Sequence, residues 1–317
     1  MKLCSALLAS IAAMASIAPA LAQAADYPSK PITVVVPYPA GGVVDLVARS
    51  VGNQIGNQMH QSIVVKDKPG ASGRIGGEEV SHASPDGYTL LFAASPLTIN
   101  PSVYLKLKGE PFRSFTPVAL VGIIPSALVV SAKSPDKTLA DFVAAAKAKP
   151  SAYNYGSIGD STPTHLAIVQ LQQRAGIKLT AVPYTGQPPA QLGLLRGDIQ
   201  LMATSVALVQ SQMRPLAVTS LKRSHLLPDV PAAAETYPGY QATTWFGIMA
   251  PKGTPAPIVQ RLYEEVAKAV QQPDVRKRLD VAGMDVQVKS PADFLEFLKA
   301  DQQRWAELVK AAGIKPQ

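Results

Sequence analysis

Residues Ile32 to Arg49 read ITVVVPYPAGGVVDLVAR. The β-branched run Thr33 to Val36 predicts a buried parallel strand, and Pro37, Pro39 and the Gly41-Gly42 pair break it. Apolar residues then return at helical spacing, at Val44, Val47, Val51 and Ile55. Strand, tight loop and helix follow one another within two dozen residues, which is the opening unit of an α/β fold. The first amides of a helix lack intrahelical acceptors, so the loop Tyr38, Pro39, Ala40, Gly41, Gly42 can present N–H groups to a carboxylate or phosphate. The competing reading is a glycine loop that only turns. The loop ends in neither GK[ST] nor a third spaced glycine, which argues against a nucleotide.

Outward from this unit, the chain begins with Lys2, an apolar run from Leu3 to about Ala22, and Ala-x-Ala patterns at Ala20 to Ala22 and Ala22 to Ala24. These features predict a secretory signal peptide over residues 1–24 and a periplasmic mature protein. Cys4, the only cysteine, leaves with that segment, so disulfides, thiol catalysis and zinc-thiolate sites are excluded from the mature chain. Of the 317 residues, roughly 290 remain, enough for two domains. The net charge is +8, and loss of Lys2 lowers it by one. Lys and Arg are spread without clusters, which favours a solvated basic surface that steers anions over a nucleic-acid interface.

Short apolar runs and helical stretches alternate through the rest of the chain. Gln61–Val65 and Thr89–Ala93 predict strands, with Arg74–Ala83 as a helix behind the turn Pro69–Gly73. Ser95 falls at a strand's carboxyl end, where ligands of open parallel sheets sit; its hydroxyl either holds a carboxylate oxygen or caps the next turn. A second set of units runs through strands at Ala127–Val130, Tyr153–Tyr155, Leu179–Pro183 and Asp198–Met202. After Tyr155 come Gly156, Ser157, Ile158, Gly159, Asp160, Ser161 and Thr162, with Thr162 as N-cap and Pro163 as first helical residue. That is a second glycine- and hydroxyl-rich helix start. Tyr184 again ends a strand. Strand Thr244–Met249, Thr254 as N-cap of a helix with Ile258, Leu262, Val266 and Val270 inward, and a final helix from Ser290-Pro291 with Phe294, Leu298, Trp305 and Val309 inward complete the pattern. The chain leaves its first domain near residue 124 and returns near 240. This predicts domain I over 25–124 plus 240–317, domain II over 125–239, and two crossing segments that form a hinge.

Residue patterns for chemistry are missing. His60, His82, His165 and His225 lack metal-binding spacing, and Ser157 lacks the glycine two residues before it that a nucleophile elbow needs. No metal or cofactor is expected, and no enzymatic activity. His165, eight residues beyond Ser157, reads as a packing or hydrogen-bonding residue. Asp45 and Asp160 stand at helix starts, where the dipole stabilises a carboxylate; Asp45 could also order waters at a ligand, and Asp160 could meet a ligand cation.

In order and spacing, several segments resemble the Bug-type solute receptors of tripartite tricarboxylate transporters: PYPAGGVVDLVAR (Pro37 to Arg49), KPGASGRIGGEEV (Lys68 to Val80), SPDGYTLLFAAS (Ser84 to Ser95), INPSVY (Ile99 to Tyr104), YGSIGDSTPTHL (Tyr155 to Leu166), VPYTGQPPAQLGLLRGDI (Val182 to Ile199), LAVTSLKRSHLLPDVPAAAE (Leu216 to Glu235) and WFGIMAPKGTP (Trp245 to Pro255). The resemblance covers the whole mature chain. It implies an α/β, two-domain periplasmic-binding-protein fold (Venus flytrap, type II) with two interdomain crossing strands. The implied monomer closes on a small carboxylate, whether a di- or tricarboxylate, an aromatic acid or an amino acid, and delivers it to membrane permease subunits. A sensor or orphan binding protein would need the same shape. The implied site is Tyr38 to Gly42, Asp45, Ser95, the loop Ser157, Gly159, Asp160, Ser161, and Tyr184, with waters bridging one carboxylate to the first loop. The sequence departs from the family where Thr204 replaces a customary acid, Ser161 a glycine and Thr185 a lysine, and where the segment after Thr204 is about five residues short. Loss of the acid at Thr204, counted with the site for its position on the second-domain wall, argues against an amino-acid ligand. The leader expectation is checked by sequencing the protein released on osmotic shock: the N-terminus should be Gln23 or Ala25, and a membrane-bound product retaining residues 1–22 would contradict it.

Overall fold

The computed structural model describes residues 27–104, 111–150 and 152–314; the predicted leader lies outside them. Strand β1 (Ile32–Val36) runs parallel to β2 (Ile63–Asp67) on one side and β3 (Thr89–Ala94) on the other. Helix α1 (Val43–Met59) connects the first two and buries Val47, Val51 and Ile55, the spacing read from the sequence. Its C-terminus is closed by His60 in the left-handed region. Helix α2 (Arg74–Ser81) leads to β3, and α3 (Pro96–Val103) follows β3 directly; this short helix was not expected from periodicity.

Strand β4 (Phe115–Ser131) is much longer than the predicted Ala127–Val130 and organises the rest. From Phe115 to Pro125 it pairs antiparallel with β9 (Thr243–Pro251), which in turn pairs with β3, and near Leu120 to Ile123 it accepts β10 (Asp285–Lys289) on its other edge. From Ser126 onward it pairs with β7 (Leu201–Ser205) and β8 (Met213–Val218) instead. Strands β5 (Asn154–Ser157) and β6 (Thr180–Pro183) extend that second sheet in parallel with β7. The orders are therefore β2-β1-β3-β9-β4-β10 and β8-β4-β7-β5-β6, with β4 common to both. Proline and glycine at 117, 122 and 125 hide this continuity in the sequence, because the register shifts that accommodate two of them interrupt any alternation.

Helices cover both faces. Thr138 and Asp141 form a reciprocal capping box at the start of α4 (Leu139–Ala148). Thr162 caps α5 (Pro163–Ala175) by accepting the His165 N–H at 3.3 Å, and Gly176 ends it at φ 65°. Helix α6 (Gln187–Arg196) follows β6, and a short α7 (Ala233–Thr236) precedes β9. Thr254 does not cap α8 (Ala256–Ala269) as expected: its hydroxyl donates to Pro251 O at 2.8 Å, so the helix starts one turn position later behind Pro255. Helix α9 (Pro273–Val281) leads to β10, and Ser290 caps α10 (Pro291–Ala311).

Two buried features join the sheets. The Thr219 hydroxyl, fully buried, accepts the Ser126 N–H of β4 at 2.9 Å and donates to Ala242 O, beside β9, at 2.7 Å. Helix α10 buries Phe294 and Leu298 against Trp245 and Leu120, and Trp305, Leu308 and Val309 against Leu128, Leu166 and Leu171. Between these groups Asp301 Oδ2 accepts Trp245 Nε1 (3.0 Å), Trp305 Nε1 (3.0 Å) and Thr98 Oγ1 (2.7 Å), while Oδ1 takes Arg304. Asp301→Ala removes the shared acceptor, leaving Trp305 Nε1 without a partner while Trp245 Nε1 and Thr98 Oγ1 keep their bonds to Thr98 Oγ1 (3.2 Å) and Ser95 O (3.0 Å), and should cost about 2–4 kcal/mol in urea unfolding, with Asp301→Asn intermediate. A loss below about 1 kcal/mol would show that water replaces the carboxylate there.

Candidate ligand-binding site

The loop after β1 turns at Gly41, whose φ of +77° is a conformation that disfavours a side chain. Gly42 precedes α1 without any side-chain cap, so the amides of Val43 and Val44 open the helix with no intrahelical acceptor. Gly41 N–H is directed elsewhere, to Asp45 Oδ2 at 2.8 Å. Asp45 is buried, and its other oxygen lies 2.5 Å from Arg49 Nε, which also reaches Asp67 at 2.6 Å. Asp45 thus holds the loop from behind. Pro39, Ala40, Gly41 and Gly42 are exposed. Tyr38 lies against the next turn, where a Cβ on Gly73 would come within 3.2 Å of its hydroxyl, and burial pushes its phenol well above the ordinary range.

That turn, Ala71–Gly73, carries Ala71 and Ser72 at φ 48° and 55°, between Gly70 and Gly73 at 138° and 90°. Side chains in the left-handed region cost about 1–3 kcal/mol each, which surrounding contacts must offset. Asn100 Nδ2 donates to Ser72 O at 3.2 Å, and Ser161 Oγ donates to Ser72 Oγ at 3.3 Å. The second bond joins the loop of the second sheet to the turn of the first. Sequence reading treated the turn only as a connection; four small residues in a row signal a turn but not its distant partner.

The loop after β5 is braced by His165. Ser157 Oγ lies 2.9 Å from His165 Nδ1, a hydrogen bond whose direction follows the imidazole tautomer, and accepts Gly159 N–H at 3.3 Å. Nε2 is 3.9 Å from Asp160 Oδ1. Burial pushes the His165 pKa below its ordinary value, with Asp160 acting weakly the other way. Asp160 itself is half exposed and Ser161 is buried. The Ser157–His165 pair packs a loop: the hydroxyl is buried and already bonded twice. Among the described residues no group of three His, Cys, Asp or Glu could hold a metal ion.

Tyr184 continues from β6 with its N–H on Ser157 O at 2.8 Å, and its ring covers α6 so closely that a Cβ on Gly193 would overlap the hydroxyl. Thr204 is fully buried near the end of β7; its hydroxyl bonds Gln187 Oε1 and accepts Gln191 Nε2 at 3.4 Å. Ser95 is fully buried as well. Its hydroxyl accepts Trp245 N–H at 2.8 Å, so it fastens β3 to β9 and does not cap α3, the alternative left open by sequence. The structure therefore brings Tyr38, Ser72 and Ser161 together, keeps Ser157, Gly159 and Asp160 beside them on one loop, and places Thr204 and Tyr184 on the β6–α6 side of that loop.

The model of the tripartite tricarboxylate transporter family receptor matches residues 47–314. A UPF0065 protein from the tcbD-tcbE intergenic region of Pseudomonas sp. (strain P51) is 36% identical over 310 residues, covering 95% of this chain and 92% of that protein. Among solved structures, the periplasmic binding protein BugD is 32% identical with a TM-score of 0.79, covering 92% of this chain and all of that one. An R. palustris protein with adipate is 31% identical, with a TM-score of 0.82 and coverage of 92% and 100%. MatC from Rhodopseudomonas palustris with bound malate is 30% identical, with a TM-score of 0.77 and coverage of 89% and 100%. These neighbours share the mixed α/β periplasmic-binding-protein fold, and no helix among the described residues is long and apolar enough to cross a membrane. The chain belongs to the receptor family of the tripartite tricarboxylate transporters, a family of solute-binding proteins and not of enzymes.

Proposed function

We propose that this protein is a periplasmic receptor that captures a small dicarboxylate between two lobes, 25–124 plus 240–317 and 125–239, and delivers it as a monomer to the membrane subunits of a tripartite tricarboxylate transporter. The observation that carries this reading is the pair of uncapped or hydroxyl-capped helix starts, at Val43 and Pro163, on the carboxyl ends of strands from the two sheets that share β4, with the Ser72–Ser161 bond beside them. Adipate and malate in two neighbouring structures support the ligand class. In this reading the amides of Val43 and Val44 bind one carboxylate, with Tyr38 to Gly42 shaping the entrance. Asp45 fixes the loop, Ser157 and Gly159 hold the opposite loop in place, and Asp160, Ser161, Tyr184 and Thr204 form or support the far wall. Ser95 sets the depth of the floor through its bond to β9. Contacts from both lobes are gained only on closure, so binding favours the closed form.

Val43→Pro isolates the carrying interaction. Proline is accepted at the first helical position, and Gly42 already has the extended backbone that a following proline requires, at φ −77° and ψ 170°. The substitution removes one N–H and exchanges the half-buried Val43 side chain, which packs against the first core, for a proline ring, so Val43→Ala serves as the control that trims the side chain and keeps the N–H. Calorimetric affinity for whichever of adipate or malate binds should fall by about one to two orders of magnitude, the value of one charge-assisted hydrogen bond, with the melting curve little changed. Solution scattering of the unaltered protein should show a smaller radius of gyration with that acid. Unchanged affinity in a folded Val43→Pro protein would remove the helix start from the site, and an unchanged scattering curve would remove closure.

A further inference from the structure

Four polar side chains behind the second loop form a chain whose direction is set by a backbone carbonyl. Gln191, buried on α6, places Nε2 3.2 Å from Leu208 O, an atom that can only accept; this identifies the nitrogen end of that amide. The same nitrogen donates to Thr204 Oγ1 at 3.4 Å, and Gln191 Oε1 accepts Gln210 Nε2 at 3.3 Å. Thr204 Oγ1 accepts from Gln191 and donates its one proton to Gln187 Oε1. The Gln187 NH2 group is therefore turned away from Thr204.

Gln187 is half-buried and is the first residue of α6. Strands β5, β6 and β7 are parallel, so the loop that leads into α6 lies on the same sheet edge as Ser157 and Ser161. At that edge an amide whose orientation is locked, reinforced by the positive end of a helix, offers donors and no acceptor. We infer that Gln187, held by Thr204, Gln191 and Gln210, is a specificity-determining residue that selects ligands whose far end is a hydrogen-bond acceptor, such as a second carboxylate, and rejects those ending in an ammonium group. This rests on the cleft reading above.

Three acids of equal chain length differ only at that end: adipate (carboxylate), hexanoate (methyl) and 6-aminohexanoate (ammonium). Calorimetry with the full mature protein should give adipate an affinity at least about tenfold above either of the others. Gln187→Glu suits a helix start, so the protein should fold, and it replaces the donor by a charge of the opposite sense; the adipate to 6-aminohexanoate ratio should fall by at least about tenfold or invert. Thr204→Val removes the proton that locks the amide and should narrow the same ratio, with circular dichroism and thermal midpoint reporting the fold separately. If the acids bind but the ratio is the same in all three proteins, Gln187 does not select and the proposal falls while the receptor reading stands. If malate alone binds, the same comparison is made with malate, 2-hydroxybutyrate and 4-amino-2-hydroxybutyrate and is read in the same way; if neither malate nor any of the three acids binds the unaltered protein, the receptor reading for this ligand class falls and the proposal with it.

Discussion

The carboxylate of Asp301 is where two of the hydrophobic cores of this protein are tied to one another. It is 5% exposed and its oxygens receive two indoles, a threonine hydroxyl and a guanidinium, so its own charge is satisfied only while α10, α3 and β9 keep their places. On one side of it α10 packs Phe294 and Leu298, on the other Trp305 and Leu308. A helix whose ends belong to different cores fixes where β9 and α3 stand, and Ser95, at the start of α3, then bonds the β9 backbone at Trp245. The floor between the sheets follows from that arrangement.

Local chemistry was readable from the sequence and distant pairing was not. Thr162-Pro163 and Ser290-Pro291 announce helix starts because capping is satisfied within three residues. Gly176 announces an end for the same reason. Strand β4 was seen only in part, since its prolines and Gly122 look like breaks until β9 and β10 are beside them; a Cβ at Gly122 would come within 2.6 Å of the Asp285 carbonyl. Thr254 shows the limit of the capping rule, because its hydroxyl donates to the carbonyl of Pro251, three residues before it, and not to a cap.

Of the candidate site, the glycine loops could be placed because glycine and proline mark where strands stop. The side chains behind them could not. Ser72 and Ser161 are 89 residues apart, and the amides of Gln187, Gln191 and Gln210 gain meaning only from the Leu208 carbonyl that orients them. The two helix starts supply partial charges of roughly half a unit and not full cations, and these are fixed in direction by the backbone. Such donors discriminate by geometry, and in the proposed role an anion bound to them could still leave.

The bond network at Thr219 has a mechanical consequence. Strand β4 passes from one sheet to the other without leaving a ladder, and at the change of partners Ser126 N–H is held by the Thr219 hydroxyl, which also holds Ala242 O. A swinging loop would let the two halves rotate freely. A laterally bonded strand resists, taking up any change of angle as twist spread over the irregular registers at Pro117, Leu120 and Leu128 and around Pro125, which has no N–H to lose. Such a joint would act as a torsion spring with a rest angle, and under the proposed closure its stiffness would set how fast the halves recoil once nothing holds them shut.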